Sequence, residues 1–198
     1  MGEIRIIEKP EEVPFSAIHD VMVAAHEQNF QKGIVTKSTR LSPEELQAKL
    51  GDRGRCFVAM DGDRVAGTSS FCVRRFNCWY ARGDVAVTMF TAVLPEYKGQ
   101  HISSLLDDRI EEEVRALGLK RIAFDTPQGN TLMQEIALKR GYRRVGFFSY
   151  PSNHYSVEMM KWLDGCPFSG ARISLRYFLR KAYIQLRFKP GRIKRFGI

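Results

Sequence analysis

The chain has 198 residues, 44% of them hydrophobic and 27% charged, which suits one globular domain, or one domain with an appendage, in water. No apolar run reaches the roughly 18 residues of a membrane-spanning helix. The start, Met1-Gly-Glu-Ile-Arg5, has no apolar signal region, so a cytoplasmic location is expected.

The pattern predicts, in chain order, a strand at Glu3–Ile7 and a helix from Pro14 to Gln31, with Ile18, Val21, Met22 and Ala25 at helical spacing. A second helix starts at Ser42, where Ser42, Pro43 and Glu45 form a capping-box signature. Two strands, Arg55–Met60 and Val65–Phe76, flank the hairpin signal Asp61-Gly62-Asp63. A strand over Val85–Val93 is stopped by Pro95, and a loop with Gly99 opens into a helix through Ile102, Leu105, Leu106, Ile110 and Val114. A strand at Arg121–Thr126, a helix from Asn130 to a Gly141 cap, and strands at Arg143–Tyr150 and Tyr155–Leu163 follow. Asp164–Gly170 is turn-rich, and Ala171–Lys189 reads as a last helix ended by Pro190-Gly191.

A strand, a glycine loop and a helix N-terminus together make a place for an anion, because the first turn's free N–H groups and the helix dipole converge there. The segment Val93-Leu-Pro-Glu-Tyr-Lys-Gly-Gln-His-Ile-Ser-Ser104 has that form, and a pyrophosphate is the obvious anion. The stretch resembles the coenzyme A loop of the GNAT superfamily of N-acyltransferases, Arg/Gln-x-x-Gly-x-Gly/Ala after a V-x-P strand end. Lys98 stands in the first position, His101 at the usual first glycine and Ser103 at the last small residue. Asn130 to Tyr142 is similar to the family's Asn-helix-Gly-aromatic segment, with Ala137 where a tyrosine acid often stands.

The resemblance covers roughly residues 3–163 and implies an α+β fold: a mixed, mostly antiparallel central sheet flanked by helices. It implies acetyl-CoA as co-substrate. The expected cofactor contacts are Val93, Leu94, Lys98, Gly99, Gln100, His101, Ile102, Ser103, Ser104 and Asn130. Residues 1–163 are expected to form the acetyltransferase domain and 164–198 a basic amphipathic extension.

Acyl transfer to an amine needs a neutral amine, a polarised carbonyl and a proton for the leaving thiolate. Asp84, Glu27 or its neighbour His26, His154 and Tyr150 are the candidate catalytic groups, with Asp125 and Tyr142 as further titratable neighbours. Each has a plainer reading: Asp84 follows Gly83 in a turn, Glu27 is a solvated helix residue, and His154 sits in a polar loop. The four cysteines and four histidines show no metal spacing, so no metal is expected.

The net charge of +9 has one source. Residues 165–198 hold nine Lys and Arg and no acidic residue, while residues 1–164 hold 22 of each sign. Burying the apolar residues interleaved there stabilises an ordered helix, so its apolar face is expected to dock on the domain or on a second copy, with its arginines displayed.

Two functions compete. The first is N-acetylation of a small, anionic amine, specifically a nucleotide-linked or glycan amino sugar. The alternative is a non-catalytic binding module whose tail, through residues 172–195, contacts nucleic acid or an anionic membrane surface. A homodimer is compatible with either.

Overall fold

The computed structural model describes residues 3–31, 37–150 and 154–187. The described residues fall into two compact units, one of residues up to 77 together with 81–119, the other of 78–80 together with residues from 120 on. The class is α+β, as expected, with seven strands and five α-helices among the described residues.

In the first unit, strand β1 (Arg5–Glu8) precedes helix α1 (Phe15–Gln31) and helix α2 (Pro43–Leu50). Strands β2 (Arg55–Asp61), β3 (Arg64–Cys78) and β4 (Ala81–Val93) follow, then a 3-10 turn at Pro95–Tyr97 and helix α3 (Ile102–Ala116). The strands lie side by side in chain order. β1 pairs antiparallel with β2, and β2 pairs antiparallel with β3 around a two-residue turn that leaves Asp61 opposite Arg64. Gly62 takes φ 60° there, the left-handed geometry such turns require.

α1 turns Ile18, Val21 and Met22 inward, and α3 does the same with Ile102, Leu106, Ile110 and Val114, the periodicity read from the sequence except for Leu105, which is exposed. α2 begins with the expected reciprocal cap: Glu45 N–H donates to Ser42 Oγ at 3.3 Å and Ser42 N–H to Glu45 Oε2 at 2.8 Å. β4 is longer than the sequence suggests, starting at Ala81, because Gly83 at φ 93° is carried within the strand.

The second unit contains strand β5 (Arg121–Pro127), helix α4 (Thr131–Lys139), strands β6 (Arg143–Tyr150) and β7 (His154–Trp162), and helix α5 (Gly170–Arg187). β7 lies between β5 and β6 and is antiparallel to both. Asn130 caps α4 by accepting from Met133 N–H at 3.3 Å, and Gly141 at φ 90° ends the helix as a left-handed C-cap.

α5 is a helix that docks through apolar residues and keeps its arginines exposed, as expected. Ile173, Tyr177 and Ile184 are buried, and the arginines between them lie on rings. Arg172 sits over Phe168 at 5.4 Å, Arg176 over Trp79 at 4.9 Å and Arg180 over Phe148 at 5.0 Å, while Arg180 Nε donates to the Phe147 carbonyl at 3.1 Å. Guanidinium planes stack well on aromatic faces, so the basic stripe borders the docked side. Lys189, Arg192, Lys194 and Arg195 lie outside the described residues.

Candidate active site

The site in the first unit is built where β4 ends. Phe90, a buried residue near that end, has φ 58°. A left-handed conformation costs an aromatic residue free energy and persists only where its surroundings impose it, so β4 departs from a regular strand just before Val93. The Leu94 N–H is then spent on the Ala66 carbonyl at 2.9 Å. Gly67 beneath it is closely covered: a Cβ would meet Ala92 O at 3.1 Å and Ile102 Cγ2 at 3.2 Å, so its neighbours would have to give way. That close approach brings the first residue of α3 down onto the strand end.

The turn between them is pinned to the β2–β3 hairpin. Tyr97 Oη donates to Asp61 Oδ2 at 2.9 Å, and Arg64 pairs with Glu96 while lying over the Tyr97 ring at 5.7 Å. Gly99 and His101 then take positive φ, 85° and 59°. His101 is an αL N-cap without a side-chain hydrogen bond to the helix, and no acidic residue stands in the first turn of α3. The first backbone bond of the helix is Leu105 N–H to the His101 carbonyl at 3.1 Å. The amides ahead of it have no acceptor within the helix. Lys98, Gly99, His101 and Ser103 are exposed around them, Gln100 and Ser104 half-exposed, and Ile102 is buried as the anchor.

His26, one turn from the C-terminus of α1, shares this region. Burial first, and the Lys98 ammonium second, hold its imidazole below the usual histidine range, against the opposing effect of a hydrogen bond with the Thr91 backbone. Thr91 Oγ1 is 2.8 Å from Ser69 Oγ. An imidazole held below its usual range, two hydroxyls and a lysine therefore stand around the C-terminal end of β4.

The other expected catalytic residues are dispersed. Asp84 is nine residues before Val93, about 30 Å back along an extended strand. It is held by Arg53 Nη1 at 2.6 Å, which keeps its carboxyl below the usual range. Glu27 is exposed on α1. In the second unit, Tyr150 and His154 face one another in the β6–β7 ladder, with side chains outside what the structure describes. Asn130 caps α4, Asp125 is opposite Glu158 in the β5–β7 register, and Ala137 and Tyr142 are buried.

One titratable pair in that unit escaped the sequence reading. The Tyr80 hydroxyl donates to Glu158 Oε2. Burial pushes both groups up, and the Glu158 charge pushes the phenol further. Gly146 makes room for the pair, since a Cβ there would come within 2.6 Å of Glu158 Oε2. Tyr80 and Glu158 are distant in sequence, so no local pattern signals them.

The profile of the Acetyltransferase (GNAT) family matches residues 18–142, more than half of the chain. The protein belongs to this family, a family of acetyltransferase enzymes. Solved structures agree on the fold. An acetyltransferase of the GNAT family from Staphylococcus aureus Mu50 aligns with a TM-score of 0.62 at 15% identity, covering 81% of this chain and 99% of that one. The ribosomal-protein-S18-alanine N-acetyltransferase from Escherichia coli gives 0.62 at 14% identity, with 81% and 94% covered. A GNAT family acetyltransferase from Elizabethkingia anophelis, solved with acetyl-CoA bound, gives 0.59 at 15% identity, with 81% and 98% covered. No curated protein matches the sequence. Among the described residues no helix is long and apolar enough to cross a membrane, and no cluster of three or more His, Cys, Asp or Glu could hold a metal.

Proposed function

We propose that the chain is an acetyl-CoA-dependent N-acetyltransferase acting on the amine of a small, anionic acceptor, with nucleotide-linked or glycan amino sugars the first class to try. The observation that carries the reading is the uncapped, acid-free start of α3 behind Gly99 and His101, inside the segment that matches the family. The acetyl-CoA bound to the Elizabethkingia enzyme supports the co-substrate. The anionic acceptor is supported only by the excess of positive charge. None of the four cysteines is in a disulfide, in keeping with a reducing, cytoplasmic setting. Residues 1–163 carry the transferase and 164–198 are an appended segment.

The amides of Gly99 to Ser104 hold the pyrophosphate, with Lys98 adding charge, while Val93 and Leu94 serve the pantetheine arm. When bound, acetyl-CoA supplies a thioester that an amine can open, the C–N bond forming as the C–S bond breaks. The chain must then take a proton from the amine. His26 suits that task because its environment keeps it neutral at pH 7. Ala137 is buried and has no proton to give, so the thiolate takes its proton from another source, solvent among them.

The test is the pH dependence of kcat/KM across a panel of amines. The acid limb should fall at a pH below the ordinary histidine value of 6.5 and vanish in His26→Gln, while Asp84→Asn, Glu27→Gln and His154→Ala keep it. Loss of the limb in one of those three instead overturns the assignment of the base. Absence of acetyl-CoA turnover with every amine class overturns the enzymatic reading.

A further inference from the structure

α5 carries a second apolar face that nothing in the described chain covers. Ala171, Leu175, Phe178, Leu179, Ala182 and Leu186 fall within an arc of about 100° on a helical projection, opposite the buried Ile173, Tyr177 and Ile184. All six are exposed: Leu175 by 61%, Phe178 by 69%, Leu179 by 62% and Leu186 by 89%. No charged residue interrupts the arc. Contiguous apolar surface of this kind on a water-facing helix marks an interaction site.

Charge decides the occupant. Arg172, Arg176 and Arg187 lie beyond one edge of the arc and Lys181 beyond the other, and no acidic residue occurs between 165 and 198. A second copy would set one cationic helix against another, so like charges oppose self-association through this face. Nucleic acid would match the charge and leave the leucines in water. An anionic bilayer surface satisfies both. Leucine and phenylalanine enter the acyl boundary while the arginines meet lipid phosphates, which is how a basic amphipathic helix lies in the plane of a membrane. The guanidiniums are already ordered for this, since Arg172 and Arg176 rest on the Phe168 and Trp79 rings and remain exposed.

We infer that α5 is an interfacial helix that docks the protein on anionic membranes through its outward Leu175–Leu186 face. The inference is independent of acyl transfer and stands or falls apart from it. Flotation of the full chain with vesicles of phosphatidylcholine, with or without about a third phosphatidylglycerol, reads it directly. The wild type should float with the anionic vesicles only, and less as salt rises towards about 0.5 M. Leu175→Gln/Leu179→Gln should weaken flotation at least about tenfold. Because both side chains are exposed, its Tm should match the wild type. Arg172→Gln, which leaves the apolar arc intact, should lower flotation on anionic vesicles. Four results overturn the inference: no flotation with either vesicle; flotation unchanged by the leucine substitutions; binding to a duplex oligonucleotide without binding to vesicles; or a dimer in sedimentation that the leucine substitutions dissolve. Flotation by a chain truncated after Arg187 should persist, and its loss would move the contact to residues 188–198 and also overturn the assignment to α5.

Discussion

Helices α2 and α3 begin in opposite ways. α2 closes its own N-terminus: Ser42 and Glu45 exchange hydrogen bonds, Pro43 removes an orphan donor, and Glu44 and Glu45 place negative charge at the positive end of the dipole. α3 does none of this. His101 offers no side-chain cap, the first turn carries no acid, and the chain enters through two residues at positive φ. The open start, where the same sequence elsewhere supplies a full cap, is what supports the proposed pyrophosphate site.

Closing the open end should give the largest effect. Ser103→Glu puts a carboxylate where the pyrophosphate is proposed to bind. Two such charges about 4 Å apart repel by roughly 4 kcal/mol in a partly wet site, so the Kd for acetyl-CoA should rise about a hundredfold or more. The Tm should hold or rise, because an acid in the first turn favours the helix. A Ser103→Glu protein that binds acetyl-CoA as tightly as the wild type removes the pyrophosphate from this place.

Gly67→Val comes next. Its Cβ would press on Ala92 O and Ile102 Cγ2, costing about 1–3 kcal/mol of stability as overpacking does. It should also weaken acetyl-CoA by displacing the start of α3. Chemical denaturation and calorimetry measure the two effects separately.

The closed end gives the smallest effect and the control. Ser42→Ala should lower stability by about 1 kcal/mol and leave acetyl-CoA affinity unchanged. Loss of both together would mean that the two helix starts are coupled, and the contrast between them would lose its force.

His26 adds a signed pH effect to the same region. Its folded pKa lies below its ordinary value of 6.5, so the unfolded chain binds the extra proton. Stability should therefore fall as pH drops below about 6.5, and His26→Gln should flatten that slope in denaturation curves between pH 5 and 7.

Much of this was legible before any coordinates. The Ser42 box, the Asp61–Asp63 turn, the Asn130 and Gly141 caps, and the apolar spacing of α1 and α3 are local signals, and local signals survive folding. The glycine loop that leads into α3 was legible for the same reason. The conformation of Phe90 was not, since nothing in Val-Thr-Met-Phe-Thr distinguishes a strained residue from a regular one. Gly67 had a signal in principle, a glycine inside a strand pattern, but its partners Ala92 and Ile102 become neighbours only in the fold. The environment of His26 depends on Lys98 and Thr91, more than sixty residues away. For α5, periodicity marks apolar positions without saying which arc is docked. The Arg-on-ring contacts placed a narrow face inward and left the wider one in water.

The central claim is that the open start of α3 holds the pyrophosphate of coenzyme A. Calorimetric titration of the full chain with coenzyme A, and separately with pantetheine, which has the arm and lacks the pyrophosphate, tests it most directly. Saturable coenzyme A binding that is lost in Ser103→Glu, with pantetheine binding weaker by about two orders of magnitude or more, is the result expected. No coenzyme A binding at millimolar concentration, or equal affinity for the two ligands, would contradict it.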